Sequence, residues 1–186
     1  MEGIDIPPLS QSRLIELSRR TLECFVRGTE IPDDTVEDPH LLTTDYGAFV
    51  SLHRKKELRG CIGTCFPTGP LYETVIDMTE AAASRDNRVA AITPSELGEI
   101  RIDISVLSPL WPAGDPFALE AGTHGLYITD GGRHGVLLPQ VATEYGWDME
   151  TFLGQTCVKA GLAKNAWKHS TTQIMSFTAL VIEEAR

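Results

Sequence analysis

Apolar and polar residues alternate most cleanly at positions 100–107, where Ile100, Ile102, Ile104 and Val106 interleave with Arg101, Asp103, Ser105 and Leu107. A period of two puts the first set on one face of a strand, against a core, and leaves the other face polar. Positions 46–54 repeat the pattern, with Ala48, Val50 and Leu52 opposite Phe49, Ser51 and His53. The tetrad Arg54-Lys55-Lys56-Glu57 then turns the chain into a second strand from Leu58 to Cys65. Residues 125–129 and 135–138 are predicted to pair as a hairpin across Asp130-Gly131-Gly132-Arg133. A last strand, 172–183, is almost continuously hydrophobic, which predicts a central place in a sheet.

Between these strands the period lengthens. Leu14, Leu17, Thr21 and Phe25 recur at helical spacing over 12–27, with Ser12 as the expected N-cap and Gly28 as the stop. Leu71, Val75, Met78 and Ala82 form a second stripe after Pro70. Thr93-Pro94-Ser95-Glu96 is a capping box that predicts a short helix. Pro139 opens another through Tyr145, and Asp148 caps one over 149–160 that Gly161 ends. Residues 29–45 and 108–124 read as loops. Helices interspersed among mainly antiparallel strands predict an α+β fold with flanking helices, not a doubly wound nucleotide fold. There is no phosphate loop and no Gly-x-Gly-x-x-Gly.

Composition narrows the function classes. The 186 residues carry 16 Lys+Arg against 26 Asp+Glu, a net charge of −10, which disfavours binding that rests on phosphate neutralisation. No apolar run approaches the roughly 20 residues needed to span a bilayer, and the acidic start Met1-Glu2-Gly3-Ile4-Asp5 lacks the basic and apolar regions of a secretion signal. Cysteines 24, 61, 65 and 157 are irregularly spaced, as expected of reduced thiols in a cytoplasmic protein. Cys61-x-x-x-Cys65 near His53 has no matching second pair, so neither a metal nor another cofactor is expected.

Candidate chemistry gathers at Leu58-Arg59-Gly60-Cys61-Ile62-Gly63. A cysteine between glycines is accessible, and in an extended segment Arg59 and Cys61 share a side, where the guanidinium would favour a thiolate. His53, across the hairpin, adds a titratable neighbour. The competing reading is a glycine-rich packing joint around an inert thiol. His124, beside Gly125, is a second candidate as acid–base group, with His134 a weaker one. Gln140 and Glu144 lie four apart, on one helix face. Cys61, His124 and Glu144 would make a Cys-His-Glu set if the fold brought them together.

The motif Leu58-Arg59-Gly60-Cys61-Ile62-Gly63 resembles the hallmark of the AMMECR domain family, whose prokaryotic members are called AmmeMemoRadiSam system protein A. The likeness continues through Gly47-Ala48-Phe49-Val50-Ser51-Leu52, Ala82-Ala83-Ser84-Arg85-Asp86-Asn87-Arg88 and Ile102-Asp103-Ile104-Ser105-Val106-Leu107-Ser108-Pro109. It ends with His124-Gly125, Leu138-Pro139-Gln140-Val141-Ala142 and Cys157-Val158-Lys159-Ala160-Gly161-Leu162. Val89 stands where relatives commonly carry Phe.

The resemblance implies a single domain over 1–186. In it a small subdomain, about 55–90, sits on a large one, about 1–54 plus 91–186, with Cys61 in a cleft between them. It further implies Memo-like and radical SAM proteins as partners, by family association. Two functions follow. One is an enzyme or small-ligand-binding protein with Cys61 as thiolate, His124 as acid–base group and Glu144 orienting it. Its ligand would be an unknown small molecule met by Arg59, Gly60, Gly63, Asp86, Arg88 and Gln140. The other is a non-catalytic regulatory or protein–protein interaction module.

Overall fold

The computed structural model describes residues 3–31 and 36–185. Its helices and strands are α1 (Pro8–Arg27), β1 (Gly47–Arg54), β2 (Glu57–Thr64), α2 (Leu71–Ser84), β3 (Ile100–Leu107), β4 (Trp111–Pro112), β5 (His124–Asp130), β6 (Arg133–Leu137), α3 (Pro139–Tyr145), α4 (Met149–Lys159) and β7 (Gln173–Glu183). The fold is α+β with antiparallel strand pairing. It divides into two compact units, one running up to Pro109 and resuming at Leu180, the other Leu110–Ala179. Residues 55–90, expected to form a subdomain of their own, fall in the first unit with β1 and β3. No helix among the described residues is long and apolar enough to cross a membrane.

In the first unit β1 lies between β2 and β3. Period-two alternation sends Ala48, Val50 and Leu52 of β1 and Ile100, Ile102, Ile104 and Val106 of β3 to one side, all fully buried. The apolar stripes of α1 and α2 supply the rest of that core through Leu14, Leu22, Leu71, Val75 and Ala82. Between the helices, the buried Ser18 and Thr79 hydroxyls satisfy each other at 2.8 Å. The end of β7 closes the unit: Ile182 joins the core, and the Glu184 N–H donates to the Ile102 carbonyl. The Glu184 carboxylate grips the Arg19 guanidinium, which donates in turn to the Ile100 carbonyl at 2.8 Å.

Three expectations are corrected here. Helix α1 starts at Pro8, four residues before Ser12, because proline is tolerated in a first turn, where no N–H is needed; the Ser12 hydroxyl instead donates to the Pro8 carbonyl at 3.1 Å. Only half of the capping box forms: the Glu96 carboxylate accepts from the Thr93 N–H at 2.9 Å, while the Thr93 hydroxyl donates to that carboxylate and does not accept from the Glu96 N–H. It opens only a turn and a 3-10 segment, Leu97–Glu99, since the chain is drawn straight into β3. The polar face assigned to β3 is polar only at Arg101 and Asp103, because Ser105 and Leu107 are also buried.

In the second unit β5 pairs with β6 on one side and β7 on the other. Gly131 and Gly132 form the hairpin turn with φ of 58° and 81°, the left-handed geometry that a two-residue turn requires. Asp148 caps α4 by accepting from the Thr151 N–H at 2.8 Å, and Phe152, Leu153 and Cys157 of that helix bury themselves against Leu126 and Ile128. The 108–124 segment is less irregular than expected: Trp111 and Pro112 pair with Ser176 and Met175.

Candidate functional site

The glycine-cysteine motif occupies β2. A β-bulge interrupts its pairing with β1: Leu52 stands opposite Gly60, but His53 stands opposite Leu58, so Arg59 is the extra residue. Bulging takes Arg59 out of strict alternation. Its guanidinium, largely buried, binds Glu96 at 2.7 Å and does not serve as the cation of Cys61. Glu96 is held below the usual carboxylate range by the Thr93 N–H and hydroxyl, and then by Arg59, against the opposing effect of burial.

Beyond the bulge the two glycines face different neighbours. A Cβ on Gly60 would lie 2.0 Å from the Ala82 carbonyl oxygen, so the missing side chain lets the backbone of α2 settle on the strand. A Cβ on Gly63 would lie 2.1 Å from the Phe49 ring, which fills that space from the facing strand. Both glycines, expected among ligand contacts, have their side-chain room taken by packing.

Cys61 stands between them, half-buried, directly opposite Ser51. The Ser51 hydroxyl donates to Cys61 Sγ at 3.1 Å. Ser51 is in turn opposite Asp103 on β3. His53 Nε2 lies 3.3 Å from Asp103 Oδ2, so the imidazole pairs with that carboxylate. Burial pushes the Asp103 carboxyl above its ordinary value, the nearby His53 lowers it, and Glu183 and Glu184 raise it again.

The other edge of β2 meets the loop after α2. The Cys61 N–H donates to Asp86 Oδ2 at 2.9 Å, and Arg88 Nη2 donates to the Cys61 carbonyl at 3.2 Å. Arg88 also forks onto Asp86, Nε to Oδ1 at 2.8 Å and Nη2 to Oδ2 at 2.7 Å. The guanidinium holds the buried Asp86 carboxyl far below the usual range, outweighing burial, with the Cys61 and Arg88 N–H groups adding to it. Arg88 is raised, chiefly by Asp86. The cation in contact with Cys61 is therefore Arg88. The expected cation beside the thiol is Arg59; the guanidinium that reaches Cys61 instead comes 27 residues later, through the turn after α2, and binds the backbone carbonyl.

The chain as a whole is similar to known proteins. The sequence matches the AMMECR1 family over residues 15–182. The chain belongs to the AMMECR1 family. A relative from Thermococcus kodakarensis, Protein TK0174, is 40% identical over 181 residues, covering 92% of this chain and 88% of its own. A relative from Methanothermobacter thermautotrophicus is 38% identical over 189 residues, covering 95% and 97%. The crystal structure of an uncharacterized protein from Pyrococcus horikoshii, PH0010, is similar with a TM-score of 0.86 at 34% identity, over 92% of this chain and 90% of that one. None of these names states an activity, and the AMMECR1 family has no established one.

The remaining residues expected at an AMMECR1 site belong to the second unit. The His124 ring accepts from the Glu120 N–H through Nδ1 at 3.0 Å and packs edge-on against Trp111, 6.1 Å between centroids. Glu144 is exposed on α3, and Gln140 is half-buried in the first turn of the same helix. His134 is exposed and stacks on Tyr127. None of the expected site residues lines the cleft of about 760 Å³ in the first unit, which Arg13, Glu16, Arg20, Val36 and Leu41 help to form. Among the described residues no three His, Cys, Asp or Glu side chains gather to hold a metal ion.

Proposed function

We propose that this AMMECR1 protein is a cytoplasmic enzyme or small-ligand-binding protein that works through the thiol of Cys61. One observation carries the reading: the Sγ of half-buried Cys61 accepts a hydrogen bond from Ser51 on a sheet face that also bears His53 and Asp103. A sulfur that accepts from a hydroxyl is oriented as an electron-pair donor, which is what attack on an electrophilic substrate requires. Cys157 offers the contrast. Fully enclosed in the second core, its thiol is pushed up by burial, with the Trp167 backbone only partly offsetting it, so it is an inert packing group. His124 remains the acid–base candidate, with Glu144 as the group that orients it, and His53 is a second acid–base candidate because it shares the cysteine's unit. Memo-like and radical SAM proteins, implied by family association, are the partners to test first.

The second reading, a non-catalytic interaction module, is favoured by Gly60 and Gly63, whose lack of side chains serves Ala82 and Phe49. Profiling of a small-molecule extract with wild-type protein, Cys61→Ala and Cys61→Ser separates the two. Turnover or covalent capture that disappears in both variants is expected. A conversion that Cys61→Ala performs at the wild-type rate overturns the thiol reading, and capture of partner proteins with no conversion by any form supports the module.

A further inference from the structure

We propose that Asp86 and Arg88 are positioning residues for Cys61, standing in for an absent neighbouring strand at the outer edge of β2. The proposal rests on the reading of Cys61 as the working thiol. In the β2-β1-β3 order, β2 has β1 on one side and no further strand on the other among those described. An edge strand leaves alternate N–H and C=O groups unpaired. At Cys61 both are taken, the N–H by the Asp86 carboxylate at 2.9 Å and the C=O by Arg88 at 3.2 Å. Both polar groups of the Cys61 backbone thus turn outward, away from Ser51 on β1, and both are held at the edge by these two side chains.

The grip is itself rigid. Asp86 Oδ1 accepts from the Arg88 N–H and Nε, and Oδ2 accepts from Arg88 Nη2 and the Cys61 N–H. All four contacts go to Arg88 or Cys61, so the carboxylate, 3% exposed, has no other task. The fork needs a planar guanidinium; a lysine would keep the charge but not span Asp86 and the Cys61 carbonyl together. With the Cys61 backbone fixed, Sγ stays at 3.1 Å from Ser51, and a nucleophile held in one geometry reacts faster than one that wanders.

The test uses the whole protein and iodoacetamide, with labelling at each cysteine read by peptide mass spectrometry. Arg88 is 60% exposed, so Arg88→Lys and Arg88→Ala are expected to fold. Both should slow Cys61 alkylation by about tenfold while Cys24 labelling is unchanged. Amide exchange at Cys61 supplies an independent readout, and its protection should fall at least about tenfold in Asp86→Ala. Alkylation of Arg88→Lys at the wild-type rate overturns the proposal, because charge alone would then suffice. Wild-type alkylation in Arg88→Ala overturns it as well, as does Asp86→Ala that self-associates with Cys61 labelling unchanged, the mark of mere edge protection. Should wild-type Cys61 react no faster than it does in the urea-unfolded chain, the thiol reading fails, while amide exchange still reports on the grip.

Discussion

The two faces of the β2-β1-β3 strands are made from the same alternating sequence and do opposite work. On one, Ala48, Val50, Leu52, Ile102 and Ile104 meet α1 and α2 with no exposed surface. On the other, Ser51, Cys61, His53 and Asp103 form short polar contacts at half-buried positions. The first face uses area, each large apolar side chain contributing roughly 1.5–3 kcal/mol when buried. The second contributes little area and holds specific atoms at specific distances. The glycines of the motif divide the same way: Gly60 is pressed against the α2 backbone, and Gly63 against a ring. A motif that looks uniform in sequence thus joins a packing residue on one face to one held by a polar contact on the other.

The largest expected effect is on the helix face. In Gly60→Ala the new methyl would meet a backbone carbonyl at 2.0 Å, which cannot move without lifting α2. A loss of roughly 3 kcal/mol or more is expected, measured by urea unfolding. A change within about 0.5 kcal/mol would show that α2 slides freely, and the contrast between the faces would collapse.

Next is the edge. Asp86→Asn should destabilise by about 1–3 kcal/mol at neutral pH, since the charge-assisted fork to Arg88 is lost. The sign with pH follows from a folded pKa depressed below the unfolded value. The carboxylate's contribution is complete above the unfolded pKa of about 3.9 and is lost as pH falls toward the far lower folded one. Wild type and Asp86→Asn should therefore differ most at pH 5–8 and converge in strong acid. Unfolding midpoints whose difference does not change from pH 7 down to pH 2 would refute the pairing.

What could be read from the chain and what could not divide along the same line. The helix face was legible because burial imposes a period, so Ile100, Ile102, Ile104 and Val106 announce β3 without any knowledge of neighbours. The Asp148 cap and the two-glycine hairpin were legible because each is a local rule. The start of α1 was missed where Pro8 competed with the serine rule. The contacts around Cys61 are a different matter, for Asp86 and Arg88 enter the sequence reading only through the family resemblance, as ligand contacts. A bulge at Arg59 depends on pairing with β1, and the grip of Asp86 and Arg88 joins residues 25 and 27 positions from Cys61 through the end of α2. No periodicity encodes either, though an aspartate two residues before an arginine, just past a helix, is the pattern that a fork of this kind leaves.

On the polar face, effects on stability should be smaller. Gly63→Ala meets a ring, not a backbone, at 2.1 Å. A side chain can turn aside where a helix cannot, so about 1–2 kcal/mol is expected. Gly60→Ala and Gly63→Ala of equal cost would mean that both faces are packed alike.

Ser51→Ala should have the smallest stability effect and the most telling chemical one. It deletes a hydroxyl that donates to Sγ at 3.1 Å from a half-buried position, where water can replace the lost contact. A stability change within about 1 kcal/mol is expected. The thiol loses its oriented donor, however, and Cys61 labelling by iodoacetamide should slow while Cys24 labelling does not. Ser51→Thr retains a hydroxyl at the same β-position, where branched side chains are favoured, and should restore the rate. If threonine fails to rescue while alanine is stable, the added methyl blocks approach to the thiol, and the open side of Cys61 lies over β1. If alanine and threonine both label like wild type, the Ser51 contact is incidental, and the difference between the two faces is one of packing alone.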